Sequence, residues 1–161
     1  FTYPLMKRFT YWPQLFLGVT FNYGIIMAWV SITNELNLYP IIFYLGAIFW
    51  TLGYDTIYGF QDIKDDEIIG VKSTSIKFKK NPKIFLISCY LIFYLSILIL
   101  GIFMSYNLYY FLFSILIFLH LMVYQIRNLE VLEPMACLKI FKSNNFLGLL
   151  VFLNLLVGNS F

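Results

Sequence analysis

Five of the chain's eight acidic residues are gathered in one stretch, Tyr54 to Phe78, which reads YDTIYGFQDIKDDEIIGVKSTSIKF. Within it Asp55, Asp62 and Asp66 stand at i, i+7 and i+11. If this part is helical, a turn of roughly 100° per residue brings the three carboxylates within about 40° of one another. Gly59 falls on the same face and leaves room for a bulky anion to approach the backbone; Asp65 lies toward the edge of the face and Lys64 points away. Negative charge gathered without matching cations calls for a divalent metal. Oxygen-only ligands suit Mg²⁺, which takes one or two carboxylates and completes its shell with water and substrate phosphates. The chemistry expected here is joint binding of a metal ion and a bulky anion such as a substrate phosphate.

The elements that must hold these residues follow from hydropathy. The chain is 61% hydrophobic, 21% aromatic and only 12% charged, against about 25% charged in soluble domains. It belongs in a bilayer, as an all-α, polytopic transmembrane bundle. Five apolar runs are expected to span it, at about residues 14–32, 38–54, 84–104, 108–125 and 146–161, each near the length needed to cross a hydrocarbon core of about 30 Å. Pro13 and Pro40 sit where first turns would begin, and Asn81-Pro82 breaks the chain before the third run. The runs are continuously apolar and do not alternate, which argues against a β-barrel. All eleven Lys and Arg fall in segments 1–13, 55–83 and 127–145, and none in 33–37 or 105–107. The positive-inside rule then puts the acidic stretch on the cytoplasmic side. The net charge of +3 is spread over short tracts and forms no nucleic-acid-binding patch. Cys89 and Cys137 are too few and too isolated for a disulfide framework or a zinc site. The first residue is Phe1, with no cleavable signal pattern after it, so a piece of a longer protein is expected.

The acidic stretch, YDTIYGFQDIKDDEIIGVKST, resembles the second aspartate-rich motif of the UbiA superfamily of membrane prenyltransferases, in particular its 4-hydroxybenzoate polyprenyltransferase branch. YPLMKRFTYWPQLFLG at Tyr3 to Gly18 is similar to the loop and helix start that precede this motif in that branch, and ACLKIFKSNNFLGLLVF at Ala136 to Phe152 is similar to its C-terminal end. The resemblance runs nearly the whole chain and implies the last five helices of a nine-helix fold. It also implies transfer of a polyprenyl group from a polyprenyl diphosphate to the ring of 4-hydroxybenzoate in ubiquinone biosynthesis, with Mg²⁺ assisting departure of the diphosphate. The implied setting is a bacterial inner (plasma) membrane. In the family a first motif, of the NDxxDxxxD type, works with the second; no such motif occurs in these residues. The implied partner is a missing N-terminal half that carries it, and the chain as given is expected to be incomplete as an enzyme.

Carried over by position, the resemblance makes Asp62 and then Asp66 the leading metal ligands and catalytic carboxylates, with Asp55 and Asp65 next and Glu67 a solvated neighbour. Lys72 of GVKST would pair with diphosphate. Lys7 and Arg8 match the family's KR pair. A guanidinium fork fits a carboxylate bidentately, so Arg8 is the candidate to grip the aromatic acid, while Lys7 can snorkel to the interface. Tyr58, like Tyr54, lies beside the carboxylates, where a ring face would shield a developing allylic cation. His120 lies within a span with no acidic residue nearby in sequence and is read as an interhelical hydrogen-bonding residue. Asn144 and Asn145 are read as caps at the start of the last span. Two other classes compete: a cation-binding transporter or channel piece, which would favour carboxylates nearer the bilayer midplane, and a noncatalytic remnant. Within the enzyme class, homogentisate, a naphthoate or a porphyrin are alternative acceptors.

Overall fold

The computed structural model describes residues 3–159, and among these the regular structure is entirely helical. A short helix α1 (Tyr3–Phe9) precedes α2 (Pro13–Phe21) and α3 (Tyr23–Thr33), which together form one apolar passage, Pro13–Thr33. Helix α4 (Leu38–Gly59) leads into α5 (Ile63–Ile69) and the single turn α6 (Thr74–Lys77). Then come α7 (Pro82–Phe103), α8 (Leu108–Phe118) continuing as a π-helical segment Leu119–Gln125, and α9 (Pro134–Asn159). Five passages are long and apolar enough to cross a membrane, and the protein is an integral membrane protein.

The boundaries have local causes. Pro13 and Pro82 open α2 and α7, where a missing N–H costs nothing. The side chains of Asn37 and Asn107 accept the backbone N–H of Tyr39 and Tyr110, each at 3.1 Å, capping α4 and α8. The first passage breaks at Asn22, whose Nδ2 donates to the Gly18 carbonyl at 2.8 Å and across to Thr51 Oγ1 on α4 at 2.8 Å. The break brings α2 close to α4: a Cβ on Gly18 would lie 2.9 Å from the Ile48 carbonyl oxygen. Small residues likewise seat α4 against α7, with Gly46 facing Ser96 and Gly53 facing Tyr90.

Three expectations are corrected. The last passage begins at Pro134 and not near 146, because Met135, Ala136, Leu138 and Lys139 are good helix formers whose polar neighbours hide the helix from hydropathy; its expected end at Phe161 lies outside the described residues. Asn144 is consequently a buried mid-helix residue and no cap, and Asn145 follows it on the same helix. His120 bonds within its own passage, its Nδ1 lying 3.3 Å from Gln125 Nε2 in the π-helical segment, and not directly to another helix.

Candidate functional site

The acidic stretch is not one continuous helix. Helix α4 stops at Gly59, a tight turn follows in which the Phe60 and Gln61 N–H groups donate to the Ile57 and Tyr58 carbonyls, and α5 starts after Asp62. The single-helix phasing therefore does not apply. The turn nevertheless returns Asp62 and Asp66 to the side of α4 that carries Asp55, and all three line one cavity of about 260 Å³ with Lys7, Gln14, Leu17, Tyr58 and Gly59.

Both ends of the stretch are fastened. Gly70, at φ 77°, closes α5 in the left-handed conformation that glycine adopts without penalty. The Lys72 N–H then donates to the Lys7 carbonyl at 2.7 Å, tying the connection after α5 to α1. Ser73 caps α6 by accepting from the Ile76 N–H at 3.2 Å. A buried polar cluster completes the fastening: the Thr74 N–H donates to Gln14 Oε1 at 3.1 Å, the Thr56 and Thr74 hydroxyls share a 2.6 Å hydrogen bond, and Ser75 Oγ donates to the Thr56 carbonyl at 2.8 Å. The space a Cβ on Gly59 would need is already taken by Ser75. Gly59 thus serves close loop packing on the side its Cβ would take, while its backbone lines the acidic cavity.

The cavity carries three carboxylates against one ammonium, that of Lys7, whose Nζ lies 3.4 Å from Asp66 Oδ2. Asp62 caps α5 through its backbone carbonyl, which accepts the Asp66 N–H at 2.8 Å, and its carboxylate makes no capping bond. Among the described residues no three carboxylate, imidazole or thiol groups are gathered closely enough to hold a metal by themselves. The donor set nonetheless fits Mg²⁺, whose shell is built from one or two carboxylates, several waters and substrate phosphates: the anionic groups that line this space are all carboxylates, and no thiol or imidazole lines it. Asp65 is exposed on α5 and outside the cavity lining, Lys64 is exposed, and Glu67 pairs with Lys79. Arg8 is exposed and lines none of the cavities described here. Lys72 is half-buried, its Nζ 5.6 Å from the centre of the Tyr11 ring.

An aromatic wall adjoins the carboxylates. Phe141 of α9 meets Tyr58 at 4.7 Å and Tyr54 at 5.8 Å between ring centres, and Tyr54 meets Trp50 at 5.9 Å. Trp50 stacks on Phe93 at 5.0 Å and donates its Nε1–H to Asn144 Oδ1 at 2.8 Å. Asn144 Oδ1 also accepts from Gln125 Nε2 at 3.1 Å, and Tyr90 donates to Gln125 Oε1 at 2.6 Å. Sequence reasoning missed Gln14, Trp50, Gln125 and the true place of Asn144. A polar side chain within an apolar run was the one available signal, since such groups are costly in lipid unless they face the protein interior.

The UbiA prenyltransferase family profile matches residues 1–156. The chain belongs to this family. It is similar to the mitochondrial 4-hydroxybenzoate polyprenyltransferases of Bos taurus, 38% identical over 98% of this chain and 43% of the relative, and of Homo sapiens, 39% identical over 98% and 43%. It is also 38% identical to 4-hydroxybenzoate geranyltransferase 1 of Lithospermum erythrorhizon, over 100% of this chain and 52% of that protein. The UbiA-family chain thus spans about half the length of these relatives. No solved structure matches it.

Proposed function

We propose that the chain is the second-motif half of an aromatic prenyltransferase, which moves a polyprenyl group from a polyprenyl diphosphate to the ring of 4-hydroxybenzoate in ubiquinone biosynthesis. The observation that carries this reading is the meeting of Asp55, Asp62 and Asp66 on one cavity, beside an aromatic wall, in a member of this family. In the reaction the allylic C–O bond breaks with its electron pair going to the diphosphate, a ring carbon forms the new C–C bond, and the ring proton leaves to water. Asp62 and Asp66 first, then Asp55, are proposed to hold Mg²⁺, which when bound would neutralise charge on the departing diphosphate; Asp65, outside the cavity lining, is left out of this set. Lys7, which lines the cavity, and Lys72 are proposed to offer further positive charge to the diphosphate. Tyr58 and Tyr54 present ring faces that disperse an allylic positive charge. A half bearing the first aspartate-rich motif completes the site. The proposed setting is a ubiquinone-making membrane, bacterial inner or its mitochondrial counterpart, the latter suggested by the names of the animal relatives.

The test is Mg²⁺-dependent transfer of radiolabelled polyprenyl to 4-hydroxybenzoate in membranes. The chain alone is compared with the chain joined to a first-motif half, and with that joined form carrying Asp62→Asn. Activity confined to the joined form and reduced about a hundredfold or more by Asp62→Asn is expected, the scale of losing one preorganised contact to developing charge. A joined form that binds Mg²⁺ yet transfers nothing to any aromatic acceptor would refute the enzyme and leave a cation-binding or remnant role.

A further inference from the structure

An open groove of about 650 Å³ runs along the outward face of α8, lined by Leu119, His120, Val123, Tyr124, Arg127 and Asn128. It coincides with the π-helical segment Leu119–Gln125 and the turn that follows. Segments of this kind are rare and occur mostly at functional sites. Gln125 fixes the state of the histidine. Its Oε1 accepts from Tyr90, so the group that faces His120 Nδ1 at 3.3 Å is its amide nitrogen. Nδ1 therefore accepts, and the ring proton sits on Nε2. That N–H has no partner among the described residues and is open to the groove. An imidazole N–H turned outward within a membrane passage is costly unless something accepts it.

The His120 ring also meets Phe146 of α9 at 5.9 Å between ring centres, and this contact sets the register of the two helices. Helix α8 rises to the connection 128–133 and α9 descends from it. Seven residues up from His120 is Arg127, and seven up from Phe146, on the same face of α9, is Lys139. Both lie about 10 Å above the ring pair, at 1.5 Å per residue, so two cations from different helices flank the groove at one level. Both are exposed, and among the described residues neither forms an ion pair, including with Glu130 and Glu133 of the connection beyond them. Tyr124 lies between the two levels, its ring 5.1 Å from His120. From the membrane edge inward the groove thus offers two cations, a phenol, an imidazole N–H and the apolar walls of Leu119 and Val123. An anionic phospholipid presents the complement in the same order: a phosphate, ester carbonyls that only accept, then acyl chains. Charge placed solely to orient the chain accounts for Arg127 and Lys139, but not for an outward donor two turns below them.

We infer that this groove is a binding site for one anionic phospholipid, whose phosphate is held between Arg127 and Lys139 and whose ester carbonyls accept from Tyr124 and His120. The site lies on the outer face of α8, apart from the carboxylate cavity, and does not depend on the prenyl-transfer reading.

The experiment reads, by native mass spectrometry, the ratio of phosphatidylglycerol to phosphatidylcholine retained by the chain after release from nanodiscs made of equal parts of the two lipids. Wild-type protein is expected to keep one phosphatidylglycerol with a preference of about tenfold or more, the scale of charge-assisted hydrogen bonds. Arg127→Gln with Lys139→Gln brings the ratio close to one, and Arg127→Lys with Lys139→Arg restores it. His120→Phe, which keeps the ring contacts and removes the N–H donor, lowers it about threefold. Lys64→Gln with Lys80→Gln removes the same charge from the same end of the bundle, away from the groove, and leaves the preference in place. Because both lipids are counted on one sample, a general loss of folded protein does not mimic the change. No preference in the wild type, or an equal loss in the Lys64 and Lys80 pair, overturns the inference in favour of diffuse attraction to basic segments. Displacement of the lipid by inorganic phosphate overturns it in favour of a plain anion site.

Discussion

Lys7 and Asp66 show how a single pair can join two parts of the site without being a large source of stability. Their side chains remain 35% and 13% exposed, and their separation is 3.4 Å. A partly solvated pair of this kind contributes at most about 1 kcal/mol. The link between α1 and the connection after α5 runs instead through backbone, from the Lys72 N–H to the Lys7 carbonyl. Lys7→Met should therefore shift chemical unfolding in mixed micelles by less than about 1 kcal/mol; a larger loss would mean that the ammonium itself anchors α1. At this scale the sequence was informative about charge. Asp55, Asp62 and Asp66 stood out because carboxylates between apolar runs need a reason, and all three line one cavity. Gln14, Trp50 and Gln125 did not stand out, since their partners lie on helices many residues away and no local pattern announces them.

At the scale of elements, the acidic loop is held by what surrounds it more than by its own helicity. Helices α5 and α6 are short, and isolated helices of this length do not persist in water. Their placement comes from the Gln14, Thr56, Thr74 and Ser75 hydrogen bonds and from Gly59 yielding its side-chain space to Ser75. The base on which they rest is the α4 and α7 pair, which tolerates little added volume. A Cβ on Gly53 would lie 2.5 Å from Tyr90 Cε1, and Tyr90 is fully buried and bonded to Gln125. Gly53→Ala is expected to cost about 1–3 kcal/mol. Gly24→Ala in α3, where a Cβ meets nothing within 4 Å, should be neutral or stabilising by up to about 1 kcal/mol. Denaturant titration of both variants checks the pair; equal effects would show that α4 does not seat α7 through Gly53. The break between α2 and α3, the π-helical segment and the early start of α9 were all hidden from hydropathy, which measures how apolar a segment is and not where its backbone bends.

For the whole molecule, the arrangement of cations and passages makes a topological prediction. Lys64, Lys79, Lys80 and Lys83 lie at the same end of the bundle as the acidic cavity, and the turn at Ser105 to Asn107 lies at the other end of α7. In a background with Cys89 and Cys137 replaced, Lys80→Cys should react with an impermeant maleimide only from the side where the acidic cavity opens, and Ser105→Cys only from the opposite side. Labelling of both from one side would break the five-passage arrangement. The sequence by itself determined that the chain lives in a bilayer, that it is helical, how many passages it makes and which end carries the carboxylates, because these follow from residue-by-residue transfer energies and charge distribution along the chain. Only the tertiary structure decided that a broken helix still returns three carboxylates to one cavity, that an aromatic wall adjoins it, and that Asn144 serves Trp50 and not a helix end. Those outcomes depend on contacts between side chains far apart in sequence, whose geometry is set by how the helices pack.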